Sequence, residues 1–152
     1  MTLGKPPRLD RIFQRYDPPL FFVTFCTAKR RSVLASDPIH RALIGYGQIA
    51  VDRNIALGRY VIMPDHIHLF VQGDPRFDLG RWISGLKRVL AAAATGGRGG
   101  LWQRGFFDHL IRNSESYAQK WDYVRENPVR AGLVSRDEDW PFQGEIVEIA
   151  HG

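Results

Sequence analysis

Two short, mostly apolar runs lie next to each other at the centre of the sequence. Residues 55–63 and 66–72 are separated only by Pro64 and Asp65, which interrupt the run as turn residues do. We therefore expect two strands that are neighbours in one sheet and pair with each other. Two further runs, rich in apolar and aromatic residues, are predicted as strands at 20–27 and 106–112.

Three helices are expected around these strands. In each, apolar residues recur three and four positions apart, over residues 37–53, 79–95 and 114–127. Asp37 is expected to cap the first helix, and Pro128 is expected to end the third. The order strand, helix, strand, strand, helix, strand, helix predicts a ferredoxin-like α+β fold, a single domain whose antiparallel sheet carries helices packed on one face.

Length and composition indicate how many domains the chain forms and in which compartment it is found. The 152 residues fit one domain, in which we expect a basic arm at 1–19, a main domain at 20–142 and a short tail at 143–152. The single cysteine, Cys26, excludes an internal disulfide and favours a reducing compartment. No apolar stretch approaches the roughly 20 residues that span a bilayer. We therefore expect a cytoplasmic protein with no membrane partner.

The strand at 66–72 carries a histidine pair. Side chains two apart on a strand point to the same face, so His66 and His68 share one face while Ile67 points to the other. The two histidine Cα atoms would lie about 7 Å apart, close enough for both rings to bind one divalent ion. A metal site needs a third ligand, and without one the pair is alternatively interpreted as two polar residues on a solvated strand face.

The helix predicted at 114–127 has two stripes. Its apolar residues fall on one side, which we expect to be buried: Tyr117, Trp121 and Val124. A second stripe, roughly 100° away, carries Ser116, Lys120, Tyr123 and Asn127. The core pattern therefore does not require Tyr123, which has a cation one turn before it and an amide one turn after it.

Tyr123 is a candidate nucleophile, and Asn127 is a candidate third metal ligand. A phenol is a weak nucleophile at neutral pH, and a metal-bound phosphate or a nearby ammonium such as that of Lys120 would activate it. The side-chain oxygen of Asn127 could complete a ligand set begun by the two histidines. Alternatively, Tyr123 is an amphipathic residue at the helix rim and Asn127 only marks the end of the helix.

Three segments together carry a specific pattern: VIMPDHIHLFV, WQRGFFDHLIRNSESYAQKWDYVRENPVRAGLV and the closing DWPF. They resemble the REP-associated tyrosine transposases, single-strand transposases with one catalytic tyrosine and a His-hydrophobic-His metal motif, over about residues 21–142. The resemblance implies that His66 and His68 bind the metal, that Tyr123 becomes joined to a DNA 5′ phosphate, and that Asn127 is the third ligand. It also implies a partner of single-stranded DNA with a palindromic hairpin, bound by a monomer or a homodimer.

These observations predict a metal-dependent, single-strand DNA endonuclease and strand transferase. Tyr123 would attack a phosphodiester and form a 5′-phosphotyrosine, with Mg²⁺ or Mn²⁺ bound by His66, His68 and Asn127 as the cofactor. Two rival functions remain open. One is a non-catalytic nucleic-acid hairpin-binding module on the same scaffold, and the other is a metal-dependent hydrolase that uses water.

The charge of the chain suits such a partner. A net charge of +5 and a pI near 9.7 favour a polyanion, because affinity for DNA depends mainly on phosphate neutralisation. The predicted DNA-binding residues are Lys29, Arg30, Arg31, Lys87, Arg88, Trp102, Arg104, Arg112 and Lys120. Trp102 and Phe106 could stack on an unpaired base. The alternative is that the cations are solvated surface charges and that the two aromatic residues pack in the core.

Overall fold

The structure, a computed structural model, describes residues 18–96, 98–112 and 116–150. Its strands are β1 (Leu20–Cys26), β2 (Ile55–Ile62), β3 (His66–Gly73), β4 (Phe107–Ile111) and β5 (Gln143–Glu145). Its helices are α1 (Asp37–Ala50), α2 (Leu79–Thr95), α3 (Tyr117–Val124) and α4 (Asn127–Arg130). The predicted arm, except for residues 18 and 19, lies outside the described residues, as do residues 114 and 115 at the predicted start of the third helix. Among the helices of these ranges, none combines the length and apolarity that crossing a bilayer requires.

The five strands form one antiparallel sheet in the order β4-β1-β3-β2-β5. β3 is central and pairs on one side with β1 and on the other with β2, which confirms the predicted pairing of the two middle strands. The order of the first four strands, with a helix after β1 and another after β3, is the ferredoxin-like arrangement. The predicted α+β class is therefore confirmed.

Alternation along β3 gives the sheet two faces of different chemistry. The first, the helical face, carries Ile67, Leu69 and Val71, all fully buried. α1 covers this face, and its His40 Nε2 lies 2.6 Å from the hydroxyl of Tyr60 on β2. α2 packs beside α1 over the same face. The apolar side of the histidine strand therefore lies against helices, as its alternating pattern predicts.

The opposite face, the histidine face, carries Phe22, Thr24, His66, His68 and Phe70. α3 lies over this face: the ring of Phe70 is centred 4.7 Å from that of Tyr117 and 6.4 Å from that of Trp121. The expected packing of helices on one face holds for α1 and α2. α3 lies over the other face because its apolar stripe is buried against Phe70.

A β-bulge in β2 helps to position α3. The register with β3 shifts between Leu57 and Tyr60, and the Arg59 N–H donates to the hydroxyl of Tyr117 at 2.9 Å. Gly58 is needed at this point, because a Cβ there would lie 2.5 Å from the same hydroxyl oxygen. The bulge therefore holds the first residue of α3 against the sheet.

Two predicted helix boundaries are wrong. Ser36 caps α1 by accepting a hydrogen bond from the Ile39 N–H at 3.5 Å, so Asp37 is the first helical residue and not the cap. α3 ends at Val124, and Pro128 lies in the first turn of the short α4. Proline is favoured there because the first turn of a helix leaves its N–H groups unpaired in any case.

The segment predicted as a tail joins the sheet. β5 pairs with residues 59–61 of β2, and three apolar residues that follow it are buried: Ile146, Val147 and Ile149. β5 was not predicted, because a strand of three residues is too short for its alternation to be recognised.

Candidate active site

His66 and His68 lie side by side on the histidine face. Their ring centroids are 4.7 Å apart and the ring planes are inclined by 79°. The Nδ1 of His66 lies 2.7 Å from Asp65 Oδ1, and that of His68 lies 2.7 Å from Thr24 Oγ1. Because Nδ1 is engaged in both rings, Nε2 is the atom that each ring can offer to a metal ion. Such second partners are typical of metal-binding histidines, since they fix the orientation of the ring.

His68 is uncharged near neutral pH. Burial lowers the pKa of His68 to about 3. Electrostatic interactions lower the same pKa further, and after that with His66 they decrease in the order Arg130, Lys120 and Arg30. Neutral imidazole is the form that binds a metal ion. The same charges would surround a phosphate bound beside this ring.

Asp65 orients His66 and is itself held by Arg30. Arg30 Nε donates to Asp65 Oδ2 at 2.8 Å, and Arg30 Nη2 lies 3.3 Å from His66 Nδ1. Burial acts to raise the pKa of Asp65, but the hydrogen bonds from Arg30 and His66 outweigh it, so the pKa lies below its ordinary value. Asp65 is therefore a carboxylate that links a cation to a candidate metal ligand.

Arg30 reaches Asp65 from a strained turn. Lys29 and Arg30 have φ values of 56° and 53°, in the left-handed region that residues other than glycine seldom adopt. Thr27 closes the turn by donating its hydroxyl hydrogen to the carbonyl of Arg31 at 2.8 Å. Strain of this kind persists only where the surrounding structure imposes it, and it is concentrated at functional sites.

Any metal ion bound by the histidines would need ligands of another type. In the part of the chain that the structure describes, no group of three or more His, Cys, Asp and Glu side chains is placed to hold one. The remaining ligands would be oxygen atoms, from Asn127, from water or from a bound phosphate. Two oriented imidazoles with further positions open fit a catalytic ion better than a closed structural one.

Tyr123 lies on the exposed side of α3. It is 66% exposed, whereas Tyr117, Trp121 and Val124 are buried, as the two-stripe pattern predicts. The Arg130 guanidinium lies 4.2 Å from the centre of the Tyr123 ring, a cation–π contact. Arg130 also donates to the backbone carbonyl of Tyr123 at 2.8 Å. α4 thus holds a cation directly against the candidate nucleophile.

Asn127 is the first residue of α4, and its Oδ1 accepts a hydrogen bond from Arg130 at 2.6 Å. Among the described residues, no hydrogen bond joins Asn127 or Tyr123 to either histidine. Arg130 instead connects the two halves of the predicted site. Its guanidinium stacks on the Tyr123 ring, and its positive charge lowers the pKa of His68. To bind a metal ion, Asn127 Oδ1 would have to share or release Arg130.

Lys120 lies over the histidine face. Its Nζ is 5.1 Å from the centre of the Phe22 ring. That ring stacks on His68, with centroids 5.3 Å apart and planes inclined by only 19°. Lys120 and Tyr123 belong to the same stripe of α3, so this stripe extends over the histidine face. Such an arrangement is expected if Tyr123 and the two histidines form one site.

The predicted DNA-binding residues do not all lie near the histidines. Arg30 and Lys120 accompany the histidines. Lys87 and Arg88 lie on α2, on the other side of the sheet from the histidines, where they line a cleft of 780 Å³ together with two further arginines. Three more of the predicted cations are exposed: Lys29, Arg104 and Arg112. Their contacts with DNA stay predictions.

Three predicted DNA contacts also have structural roles near the loop before β4. Lys87 Nζ donates to two carbonyls of this loop, and Arg31 donates to the Gly100 carbonyl at 2.7 Å. Trp102 Nε1 donates to the Lys87 carbonyl at 2.9 Å, and its ring packs edge-on against Phe25 at 5.1 Å. The half-buried Trp102 thus follows the alternative interpretation, in which it packs against the core.

Sequence reasoning missed Thr24, Phe22 and Asp65. The position of Asp65 directly before His66 was a usable signal, because carboxylates commonly orient metal-binding histidines. Phe22 and Thr24 alternate along β1, which signals a shared face. The local sequence does not show that this face adjoins His68, since that depends on the register between β1 and β3.

Known proteins resemble this chain in sequence and in fold. The family model described as Transposase IS200 like matches residues 21–127, a range that includes both histidines, Tyr123 and Asn127. A REP-associated tyrosine transposase of Escherichia coli (strain K12) is 30% identical over 135 residues, which cover 87% of this chain and 79% of that relative. The chain belongs to the REP-associated tyrosine transposase family.

Further comparisons agree with membership of this transposase family. A Haemophilus influenzae protein, provisionally assigned to the same family, is 29% identical over 138 residues, or 81% of this chain and 77% of that protein. A REP-associated tyrosine transposase solved bound to a REP hairpin is similar with a TM-score of 0.70, over 100% of this chain and 97% of that chain. At 23% identity, this structural likeness shows a shared fold.

Proposed function

We propose that this transposase cuts and rejoins single-stranded DNA beside a hairpin, through a covalent bond between Tyr123 and a 5′ phosphate. The observation that carries the proposal is the exposed Tyr123, stacked under Arg130, whose positive charge also lowers the pKa of His68. Family membership supports the class of reaction. The hairpin partner is proposed from the relative that was solved bound to a REP hairpin.

The proposed step exchanges one phosphodiester for another. The phenol oxygen of Tyr123 attacks the phosphorus, and the bond from phosphorus to the 3′ oxygen breaks. The phenolic proton is transferred, and the leaving 3′ oxygen ends as a hydroxyl. Attack of a 3′ hydroxyl on the phosphotyrosine reverses the step and joins strands. Because the number of phosphoester bonds is unchanged, the reaction needs no external source of energy.

Cations of this chain would offset the charge that gathers on the attacked phosphate. Arg130 lies against the nucleophile, while Lys120 and Arg30 approach the histidines from α3 and from the turn after β1. All three raise the positive potential around His68. Positive charges gathered at a site stabilise the negative charge that develops there in the transition state.

We also propose that His66 and His68 bind Mg²⁺ or Mn²⁺ through Nε2. A bound ion would polarise the attacked phosphate. Asp65 and Thr24 hold the two rings in the required orientation. Asn127 would complete the protein ligands by releasing its hydrogen bond from Arg130, which would also free that guanidinium to contact phosphate.

The proposal is tested with a hairpin oligonucleotide that has a single-stranded flank, labelled at either end and incubated with Mn²⁺ or with EDTA. A 3′ label should become attached to the protein on a denaturing gel, while a 5′ label should leave on a shorter fragment that ends in a 3′ hydroxyl. Cleavage without attachment would indicate a hydrolase that uses water. Binding with neither product would indicate a non-catalytic hairpin-binding module.

A further inference from the structure

Phe107 is an exposed aromatic residue at the edge of the sheet. It is the first residue of β4 and is 73% exposed, more than any other large apolar residue in the described part of the chain. In those residues β4 pairs only with β1, so it is an edge strand. An aromatic ring left in water at a sheet edge contributes little to folding, and what its ring can contact depends on the face of the sheet on which it lies.

The register places Phe107 on the histidine face. Phe107 is directly opposite Thr24, and Thr24 is directly opposite His68. Paired residues of neighbouring strands point to the same side of a sheet. The Thr24 hydroxyl confirms the side, because it lies 2.7 Å from His68 Nδ1. Two strand spacings separate Phe107 from His68, a distance of about 10 Å across the sheet.

The two aromatic residues that the sequence suggested for base stacking are used elsewhere. Trp102 packs against Phe25 and donates its indole N–H to a backbone carbonyl. Phe106 is half-buried and lines the cleft beside α2, on the other side of the sheet from the histidines. Phe107 therefore has the exposed ring that a base could cover, and it lies on the same face of the sheet as the candidate metal ligands.

We propose that Phe107 is the platform on which one unpaired base of the single-stranded flank stacks, close to the phosphate held at the histidines. The inference rests on the proposed function, because it assumes that single-stranded DNA crosses the histidine face. Every base has an aromatic face, so a protein ring can hold a single strand without selecting its sequence. Phe107 would thereby position the strand rather than take part in the chemistry.

Leu110 provides a matched control on the same strand. It is 42% exposed and pairs with Phe21, one position from Phe22 and therefore on the opposite side of β4 from Phe107. Phe107→Ala and Leu110→Ala both remove exposed apolar area from the edge strand. Only the first removes a ring from the histidine face, so the comparison separates base stacking from a general effect on β4.

The experiment measures the affinity of two DNAs, a hairpin with a single-stranded flank and the same hairpin without it. All variants also carry Tyr123→Phe, so that the DNA is not cleaved and only binding is measured. Phe107→Ala should weaken binding of the flanked hairpin roughly five- to hundredfold and leave the hairpin without a flank unaffected, while Leu110→Ala changes neither. Phe107→Trp should retain affinity, and the flank should quench the fluorescence of the new indole.

Three results would overturn the inference. Unchanged affinity of Phe107→Ala for the flanked hairpin would exclude stacking, and equal losses for both DNAs with Phe107→Trp binding like the parent would assign Phe107 to the hairpin instead of the flank. A change from dimer to monomer in size-exclusion chromatography, without a specific loss for the flank, would assign Phe107 to a contact between copies of the chain. A Phe107→Ala protein that keeps Tyr123 should still become attached to labelled DNA. This attachment separates the three results from failure of the proposed function, in which no DNA becomes attached.

Discussion

Thr24 Oγ1 and His68 Nδ1 are joined across β1 and β3 at a distance of 2.7 Å. This contact fixes the ring of the more buried histidine and determines which of its nitrogens can bind a metal ion. A hydroxyl that accepts from Nδ1–H leaves Nε2 as the basic nitrogen. The side chain of Thr24 is therefore a positioning group for the candidate metal site, although it would not touch the ion.

Thr24→Val should weaken the binding of Mn²⁺ roughly ten- to hundredfold, because the methyl group that replaces the hydroxyl cannot hold the His68 ring. The two side chains have nearly the same shape, so the fold should be retained. Calorimetric titration of the protein with Mn²⁺ measures the change. Thr24→Ser keeps the hydroxyl and should bind the ion like the parent. If valine and serine variants bind Mn²⁺ equally well, the hydrogen bond has no role in metal binding.

Arg130→Gln should slow the attachment of DNA roughly hundredfold while leaving the fold intact, since it removes a charge held 4.2 Å from the Tyr123 ring. The rate is measured from labelled adduct sampled over time on denaturing gels. Arg136→Gln is the matched control, because Arg136 is an exposed arginine whose ion pair is with Glu138. Equal rates in the two variants would show that the charge of Arg130 does not assist the reaction.

The metal-free protein should become less stable as the pH falls below about 6.5, in part through His68. The folded protein has a His68 pKa of about 3, against 6.5 for the ordinary residue. Between these values the unfolded chain binds a proton that the folded protein does not, so the free energy of unfolding decreases with falling pH. The contribution of this group reaches at most about 1.4 kcal/mol per pH unit.

Urea denaturation in EDTA, between about pH 7 and pH 5, measures this dependence. His68→Asn should give a shallower slope, because an amide does not titrate and can still reach Thr24. His40, whose pKa is also lowered by burial, contributes equally to both proteins. Parallel stability profiles would contradict the assignment of an uncharged, buried His68.

Tyr117→Phe should lower the free energy of unfolding by about 1–3 kcal/mol, because the Arg59 N–H loses the hydroxyl that it reaches in the folded protein. Attachment of DNA should persist, since Tyr117 lies on the buried stripe of α3. Urea denaturation and the labelled-adduct gel measure the two effects. Loss of the adduct in a folded Tyr117→Phe protein would mean that the wrong tyrosine has been assigned as nucleophile.

Local periodicity was enough to predict much of the fold and part of the site. Alternation predicted that His66 and His68 share a face, and the helical spacing predicted that Tyr123 is exposed while Trp121 is buried. These predictions succeed because each depends on the geometry of a single element. The ferredoxin-like order followed from the sequence of elements in the same way.

Features that depend on contacts between distant segments could not be predicted. Thr24 and His68 are 44 residues apart, and only the register of β1 with β3 brings them together. The hydrogen bonds from Lys87 to the loop before β4 depend on how α2 packs. A shift of one residue decides that Phe107 and not Phe106 lies on the histidine face, and short edge strands leave such shifts weakly specified by their sequence.

The central claim is that Tyr123 is the nucleophile, and Tyr123→Phe tests it most directly. The change removes one oxygen from a side chain that is 66% exposed and keeps the ring beneath Arg130, so folding and hairpin binding should match the parent. The decisive measurement is transfer of a 3′ label from the flanked hairpin to the protein in the presence of Mn²⁺. The account predicts no labelled protein and no cleaved DNA with this variant; labelled protein, or cleavage at the parent rate, would contradict it.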